Sequence, residues 1–346
     1  LTIRDADGTV RQLSFDYEDA QGPSIQSIIE GPDGALYGCT GHPQRIFRFD
    51  PQSGEKISYG LREQSGHWND LAVQRDLIFG AEYMGGQFYG YDPTRPWLDR
   101  DEENPNPRMY DVAGIYVSRP YILLAHPDGQ HLIMGGVPTY GVTGGGMFIY
   151  DLESESSELI MPEDLLADHS LQSLVALPDG NLVGGTTVFG GTGSQRIATE
   201  AELLIYDFAD RKLLWHEVIV PSASSIRDLI VGPDGLVYGT ASDLTFFVFD
   251  ATTRTVVHSE KLPQEWGMSA GHQGPRSLSL GPDGNIYGLF RHAVVRIEPG
   301  TFECTRLAQS PVTIGAGAPI VDGRIYFTSG PNIWSYDLRE ALGIAQ

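Results

Sequence analysis

Short runs of apolar residues alternate along the whole chain with turns built from Gly, Pro, Asp and Asn. The clearest unit is residues 24–50 (SIQSIIEGPDGALYGCTGHPQRIFRFD), which has an apolar run, a GPDG turn, a second apolar run, a variable loop and a third run ending in Asp. Runs rich in Val, Ile, Leu, Phe and Tyr between such turns predict short β-strands. Pro presets the backbone angle of a tight turn and Gly accepts a positive one, so each PDG sequence predicts a turn between antiparallel strands.

This unit repeats along the chain. Seven segments carry the turn, two of them in degraded form: residues 28–34, 71–76, 123–129, 174–180, 229–235, 278–284 and 319–323. Each is followed by an apolar run that closes on an acid: Asp50, Asp92, Asp151, Asp207, Asp250, Glu298 and Asp337. A repeat of about 40–55 residues with four short strands is typical of a propeller blade. The pattern predicts an all-β fold, a seven-bladed β-propeller that forms a single domain over residues 1–346.

The two ends of the chain are expected to meet in the last blade. The seventh repeat supplies only three strands, and residues 9–17 (TVRQLSFDY) form an unassigned strand ahead of the first repeat. We expect this strand to complete the last blade, because a closed ring removes exposed sheet edges. The Pro-rich acidic segment 93–107 is expected to be a solvated loop.

Composition excludes some partners. The formal net charge of −22 argues against nucleic acid, because phosphate contacts need a basic surface. No apolar run is long enough to span a membrane. Cys39 and Cys304 fall in different repeats and are not expected to pair, so the compartment stays open, with a secreted or periplasmic location slightly favoured over the cytoplasm. The oligomeric state also stays open.

One position in each repeat is predicted to face the central channel. Counting six residues back from the turn Pro, or its equivalent, gives large polar residues in a mostly apolar strand: Gln26, Asn69, Tyr121, Gln172, Arg227, Arg276 and, in the last repeat, Gly315. Such residues can line a channel merely to hydrogen-bond water. Two arginines on successive blades repel each other unless an anion or a carboxylate lies nearby, which favours a ligand site.

Further candidates precede these positions or lie in enlarged loops on the same face. The connections between blades contribute His67, Trp68, Arg119, His169, His272 and Gln273. The Gly-rich loops 135–146 and 184–200 join the second and third strands of neighbouring blades, and Tyr140 lies in the first of them. We expect the two loops to form a wall beside the channel mouth.

The GPDG-x-[LIV]-[YW] repeat, with strands that end in Asp, resembles virginiamycin B lyase and related small propellers. The seven-blade plan with His, Arg, Tyr and Gln at the mouth is similar to polysaccharide lyases of the propeller type, such as oligogalacturonate and ulvan lyases. This resemblance implies β-elimination, in some cases with a divalent metal held partly by histidines. It suggests a glycan or a small molecule as the substrate.

The residues can be matched to the chemistry that uronate β-elimination requires. A cation must neutralise the carboxylate, a base must remove the adjacent proton, and an acid must protonate the leaving oxygen. Carboxylate binding is assigned to arginines helped by amides: Arg227, Arg276 and Arg119, with Gln172 or Asn69. The base is assigned to His67, His169 or His272, and the acid to Tyr121 or Tyr140. Trp68 and Tyr140 are expected to stack on sugar rings, and Gln26 and Gln273 to contact the substrate.

Two alternatives remain open. A non-catalytic propeller that binds a small acid, a glycan or a protein would show the same polar ring, but no turnover. A metal-dependent lactonase or hydrolase would need carboxylate ligands at the channel, and the predicted ring contains none.

Overall fold

The computed structural model describes residues 2–4, 7–12, 22–41, 44–60, 66–99, 101, 103–269 and 277–343. Antiparallel sheets account for almost all of its regular structure, with three short 3₁₀ helices at Gly114–Val117, Pro162–Asp164 and Gln264–Trp266. The seven-bladed β-propeller predicted from the repeats is confirmed.

Blades 1 to 6 each contain four strands in chain order. Blade 1 comprises β3 (Ile25–Glu30), β4 (Leu36–Thr40), β5 (Arg45–Phe49) and β6 (Lys56–Gly60). Blade 2 comprises β7 (Trp68–Gln74), β8 (Leu77–Glu82), β9 (Gln87–Tyr91) and β10 (Arg108–Val112). Blade 3 comprises β11 (Arg119–Ala125), β12 (His131–Val137), β13 (Met147–Asp151) and β14 (Ser156–Ile160).

The second half of the ring follows the same plan. Blade 4 comprises β15 (Ser170–Ala176), β16 (Leu182–Thr187), β17 (Leu203–Asp207) and β18 (Lys212–Glu217). Blade 5 comprises β19 (Ile226–Val231), β20 (Val237–Ala241), β21 (Thr245–Asp250) and β22 (Thr255–Lys261). Blade 6 comprises β23 (Leu278–Leu280), β24 (Ile286–Phe290), β25 (Ala293–Ile297) and β26 (Cys304–Gln309). Blade 7 has three strands among the described residues: β27 (Gly317–Val321), β28 (Arg324–Ser329) and β29 (Asn332–Asp337).

The first strand of each blade is the innermost one. Successive first strands contact one another around the ring, and β27 of blade 7 contacts β3 of blade 1. A hydrogen bond from the Ile25 N–H to the Gly330 carbonyl oxygen, 3.0 Å long, also joins these two blades. The hydrophobic core consists of clusters that lie between neighbouring blades, with the outer strands largely exposed.

The predicted closing strand is only partly described. At the N-terminus, β1 (Thr2–Arg4) pairs with β2 (Val10–Gln12) in a separate two-stranded sheet. Residues 13–17 of the predicted strand lie outside the described residues, so its pairing with blade 7 stays a prediction.

The PDG turns are held by a recurrent tyrosine. In three blades the aspartate of the turn accepts a hydrogen bond from a Tyr hydroxyl on the next strand: Tyr37 to Asp33 (3.1 Å), Tyr238 to Asp234 (2.6 Å) and Tyr287 to Asp283 (2.9 Å). This bond explains why a Tyr stands at the third position after GPDG in these blades.

The segment 93–107 is more than a solvated loop. Trp97 stacks on Tyr59 of blade 1, with ring centroids 4.6 Å apart. Asn106 is 2% exposed, and its Nδ2 atom donates to three carbonyl oxygens, those of Asp92, Arg95 and Pro96. The expectation of a solvated loop is therefore wrong for these parts of the segment.

Two smaller observations complete the description. Cys39 and Cys304 are not bonded to each other, as expected from their separation. Among the residues that are described, no helix has the length and apolar character needed to cross a membrane.

Candidate functional site

The predicted channel-facing residues coincide with irregularities in the innermost strands. The strand register shifts by one residue in blades 1 to 5, and the residue skipped in the pairing is Gln26, Asn69, Tyr121, Gln172 or Arg227. A bulged residue is left out of the ladder, and its side chain is re-aimed. In blade 7 the shift lies between Gly317 and Ile320, whereas Gly315 lies just ahead of the strand.

The face that carries these residues is the one predicted. It is formed by the starts of the first strands, the ends of the second strands and the loops that follow them. The two enlarged loops contact each other there, since the Gly141 N–H donates to the Thr192 carbonyl oxygen (3.1 Å) and the Gly191 N–H to that of Val142 (3.0 Å).

Arg119 joins blade 2 to the enlarged loop of blade 4. Its guanidinium lies over the ring of Tyr83, 4.9 Å from the centroid, and Nη2 donates to the Tyr83 hydroxyl across 3.2 Å. The same nitrogen donates to Thr192 Oγ1 at 3.3 Å. Both partners are neutral, so these contacts position the guanidinium and leave its positive charge uncompensated by them.

Tyr121 lies between two arginines. Burial raises the pKa of its hydroxyl, and the positive charges of Arg119 and Arg227 offset only part of that rise. The hydroxyl is therefore neutral at physiological pH. A neutral phenol surrounded by guanidinium groups is a hydrogen-bond donor, and it becomes a stronger acid if an additional cation approaches.

Arg227 is half-buried, and its Nε atom donates to Ser269 Oγ at 3.2 Å. Burial lowers its pKa, the nearby charge of Arg291 lowers it further, and Asp228 and Tyr121 act in the opposite direction. Arg291 was not predicted. It directly follows the second strand of blade 6, a position that reaches the same rim, and that spacing could have identified it.

Arg291 lines a cavity of about 380 Å³ at the junction of blades 6, 7 and 1. Gln26 and Gly315 line the same cavity, so two predicted ring positions lie together here. A second cavity, of about 160 Å³, is lined by Tyr83, Arg119 and Tyr140. Tyr140 is 62% exposed at the edge of this cavity, which suits the predicted contact with a sugar ring.

Asn69 and Gln172 are more buried than predicted. Asn69 is completely buried, and its Nδ2 atom donates to the Pro120 carbonyl oxygen at 2.7 Å, which ties blade 2 to blade 3. Its Oδ1 atom has no hydrogen-bond partner in the described part of the chain. Gln172 is also classed as buried.

In blades 1, 2, 4 and 5, the residue after the bulge binds the next blade, a role that sequence reasoning missed. Ser27 Oγ donates to the Trp68 carbonyl oxygen (2.9 Å), and Ser173 Oγ donates to that of Ile226 (3.0 Å). The Asp70 carboxylate accepts the N–H of Leu123 at 2.7 Å. Asp228 accepts from the N–H and hydroxyl of Ser277 and from the N–H of Leu278.

Two residues with assigned roles are buried and make other contacts. Trp68 is 0% exposed and packs on Tyr89 in the core between blades 1 and 2, so it offers no ring face to a sugar. His169 is buried, and its Nε2 atom is within 3.0 Å of the Glu200 carbonyl oxygen, with a Glu202 oxygen 3.9 Å away. We infer that its imidazole anchors the blade 4 loop, a role that leaves Nε2 unavailable as a base.

His67 is the remaining histidine candidate among the described residues. The His67 ring lies 5.3 Å from the ring of Tyr83, the same ring that the Arg119 guanidinium covers. His67 is 8% exposed. His272, Gln273 and Arg276 fall outside the described residues. In the described ranges, no group of three or more His, Cys, Asp or Glu side chains could hold a metal ion, and the predicted divalent metal stays a prediction.

Comparison with known proteins adds no further assignment. No protein-family model matches the chain, and no curated protein matches it.

Proposed function

We propose that this propeller is a lyase that cleaves uronic-acid-containing oligo- or polysaccharides by β-elimination at the channel mouth. The observation that carries the proposal is that Tyr121 and Arg227 are both bulged residues of innermost strands, with the charges of Arg119 and Arg227 acting on the Tyr121 hydroxyl, in a protein whose net charge is −22. Guanidinium groups concentrated at one point of an acidic protein favour a carboxylate ligand at that point. The resemblance of the GPDG repeat to lyase propellers supports the same reaction class.

Each step of the reaction is assigned to a different residue. Arg227 binds the uronate carboxylate, and its positive charge acidifies the proton on the ring carbon that bears the carboxylate. His67 accepts that proton, and the electron pair forms a double bond to the adjacent carbon. The bond from that carbon to the bridging oxygen breaks as the Tyr121 hydroxyl protonates the oxygen. Solvent then restores the proton on Tyr121 and takes the one from His67.

One observation favours a second candidate, a non-catalytic propeller that binds an acidic glycan. His67 is 8% exposed, so its access to a bound sugar is limited. The arginines and Tyr121 alone would bind a carboxylate without turning it over.

The test is an incubation with a panel of uronic-acid polymers, with and without added divalent metal, followed by the ultraviolet absorbance of the unsaturated uronate product. Tyr121→Phe is expected to reduce turnover about 100-fold or more. Arg227→Gln should also reduce it, whereas Arg306→Gln, on the exposed outer strand of blade 6, serves as the matched control. Binding without product would favour the binding propeller. The absence of both binding and product would overturn the proposal.

A further inference from the structure

Two cavities open on the same face of the propeller, on different sides of the channel. One lies at the start of blade 1 and the end of β28, and the other lies at the start of blade 3 and the end of β8. Each contains one arginine: Arg291 in the first and Arg119 in the second.

Side chains of blades 3 and 5 lie between the two cavities at the mouth. Tyr121, two residues after Arg119, and Arg227 are both bulged residues of innermost strands. Arg227 Nε donates to Ser269 Oγ at 3.2 Å, and Ser269 forms a β-bridge with Phe290, the residue before Arg291. The charges of Arg119 and Arg227 act on the Tyr121 hydroxyl, and the charge of Arg291 acts on Arg227.

The two terminal arginines have no carboxylate partner within the described part of the chain. Neither Arg119 nor Arg291 takes part in any of its salt bridges, although other surface arginines such as Arg48 and Arg108 do. In a chain with 45 acidic and 23 basic residues, carboxylates that could pair with them are abundant. A bound anion at each end would supply the missing counter-charge.

The size of the blade 3 cavity indicates a ligand that extends beyond it. The blade 3 cavity, at about 160 Å³, is smaller than the roughly 300 Å³ at which complete ligand pockets begin. It is bordered by the exposed ring of Tyr140 and by Pro138, which together provide an apolar surface for one sugar ring. It therefore suits one residue of a longer molecule.

We infer that the two cavities are the end subsites of one groove for a linear oligosaccharide that carries at least two carboxylates, one bound by Arg119 and another by Arg291. This inference rests on the proposed function, and it adds that a uronate bound at Arg227 lies between two further binding positions. The protein therefore selects acidic chains of a minimum length and binds a single uronic acid weakly.

The test is a calorimetric titration of the full-length protein with uronate oligomers of increasing length, in a Tyr121→Phe background so that they are not consumed. Affinity is expected to rise steeply from the monomer until the oligomer reaches both cavities, and then to level off. Arg119→Gln and Arg291→Gln should each weaken binding of the long oligomers about 10-fold or more, with little effect on the monomer. Arg306→Gln should change neither.

Two controls keep the outcomes separate. Arg119→Lys retains the charge and should recover part of the affinity that Arg119→Gln loses, which a damaged loop would not allow. If monomer and long oligomers bind equally well and neither variant alters binding, the two-ended groove is wrong while the proposed function stands. If no uronate of any length binds, both are wrong.

Discussion

Gly281 lies directly against the ring of Tyr287, and a Cβ atom at Gly281 would be 2.4 Å from the ring carbon Cε2. The same relationship joins Gly31 to Tyr37 (2.4 Å) and Gly232 to Tyr238 (2.5 Å). In blade 4, the equivalent pair is Leu177 and Val183, which are both buried. The first residue of the turn is therefore Gly where a Tyr ring covers it, and a larger residue where the ring is replaced by a smaller side chain.

This pairing predicts a coupled effect on stability. Gly281→Ala is expected to lower the free energy of unfolding by about 1–3 kcal/mol, because the new methyl group must displace the Tyr287 ring. In a Tyr287→Val background, the same substitution should cost much less, as the Leu177–Val183 pair indicates. Urea unfolding of the four proteins in this double-mutant cycle measures the coupling. Equal costs of Gly281→Ala in both backgrounds would contradict the steric explanation.

The bonds between blades predict a second effect. Asp228→Ala should lower the unfolding free energy by about 3 kcal/mol, because it leaves the buried N–H groups of Ser277 and Leu278 without an acceptor. Ser173→Ala removes a single neutral bond and should cost about 1 kcal/mol. Hydrogen exchange at the Leu278 amide should accelerate in Asp228→Ala but not in Ser173→Ala. Similar costs for both variants would show that the carboxylate has no special role in joining blades 5 and 6.

Asp128 predicts a dependence of stability on pH. Burial acts to raise its pKa, but hydrogen bonds from the His131 and Gln130 N–H groups and from the His131 side chain lower it to about 2. Because this pKa is below the usual value near 3.8, the carboxylate stabilises the fold at pH values above the usual value. That contribution is lost as the pH falls toward 2. Unfolding midpoints measured from pH 5 to about pH 2 should fall more steeply in the wild type than in Asp128→Asn. Parallel profiles would contradict this assignment.

The anchoring role of His169 predicts a separation of stability from activity. His169→Gln should increase hydrogen exchange in the blade 4 loop, residues 188–202, because the contact with the Glu200 carbonyl oxygen is weakened. In the lyase assay, the pH dependence of turnover should stay that of the wild type. A variant with normal exchange but altered pH dependence would restore His169 as a candidate base.

The repeat made the fold predictable, because turn chemistry and strand closure recur at fixed spacing in every blade. Equivalent spacing also singled out Gln26, Tyr121 and Arg227, which the structure shows to be bulged residues of the innermost strands. Counting could not show how deep each position lies, so Asn69 was predicted to bind substrate when it is completely buried. Trp68 shows the same limit, since its burial depends on packing between two blades.

Contacts between blades were the other part that sequence could not supply. Arg119 owes its position to Tyr83 of the preceding blade and to Thr192 of the following one, residues that are 36 and 73 positions away in the chain. The influence of Arg291 on Arg227 arises in the same way, from the packing of blade 6 beside blade 5. Spacing within one repeat carries no information about such neighbours.

The bulge in the innermost strand of blade 5 has a consequence for how this protein can evolve. The bulged residue Arg227 takes no part in the ladder, and the next residue, Asp228, holds blade 6 in place. Ligand preference and the joining of blades therefore depend on adjacent but different residues. Substitutions at a bulged position such as Arg227 can accumulate without opening the ring, so a lineage of such propellers can acquire new ligands while it retains one scaffold. Asn69 is an exception, because this bulged residue itself joins blade 2 to blade 3.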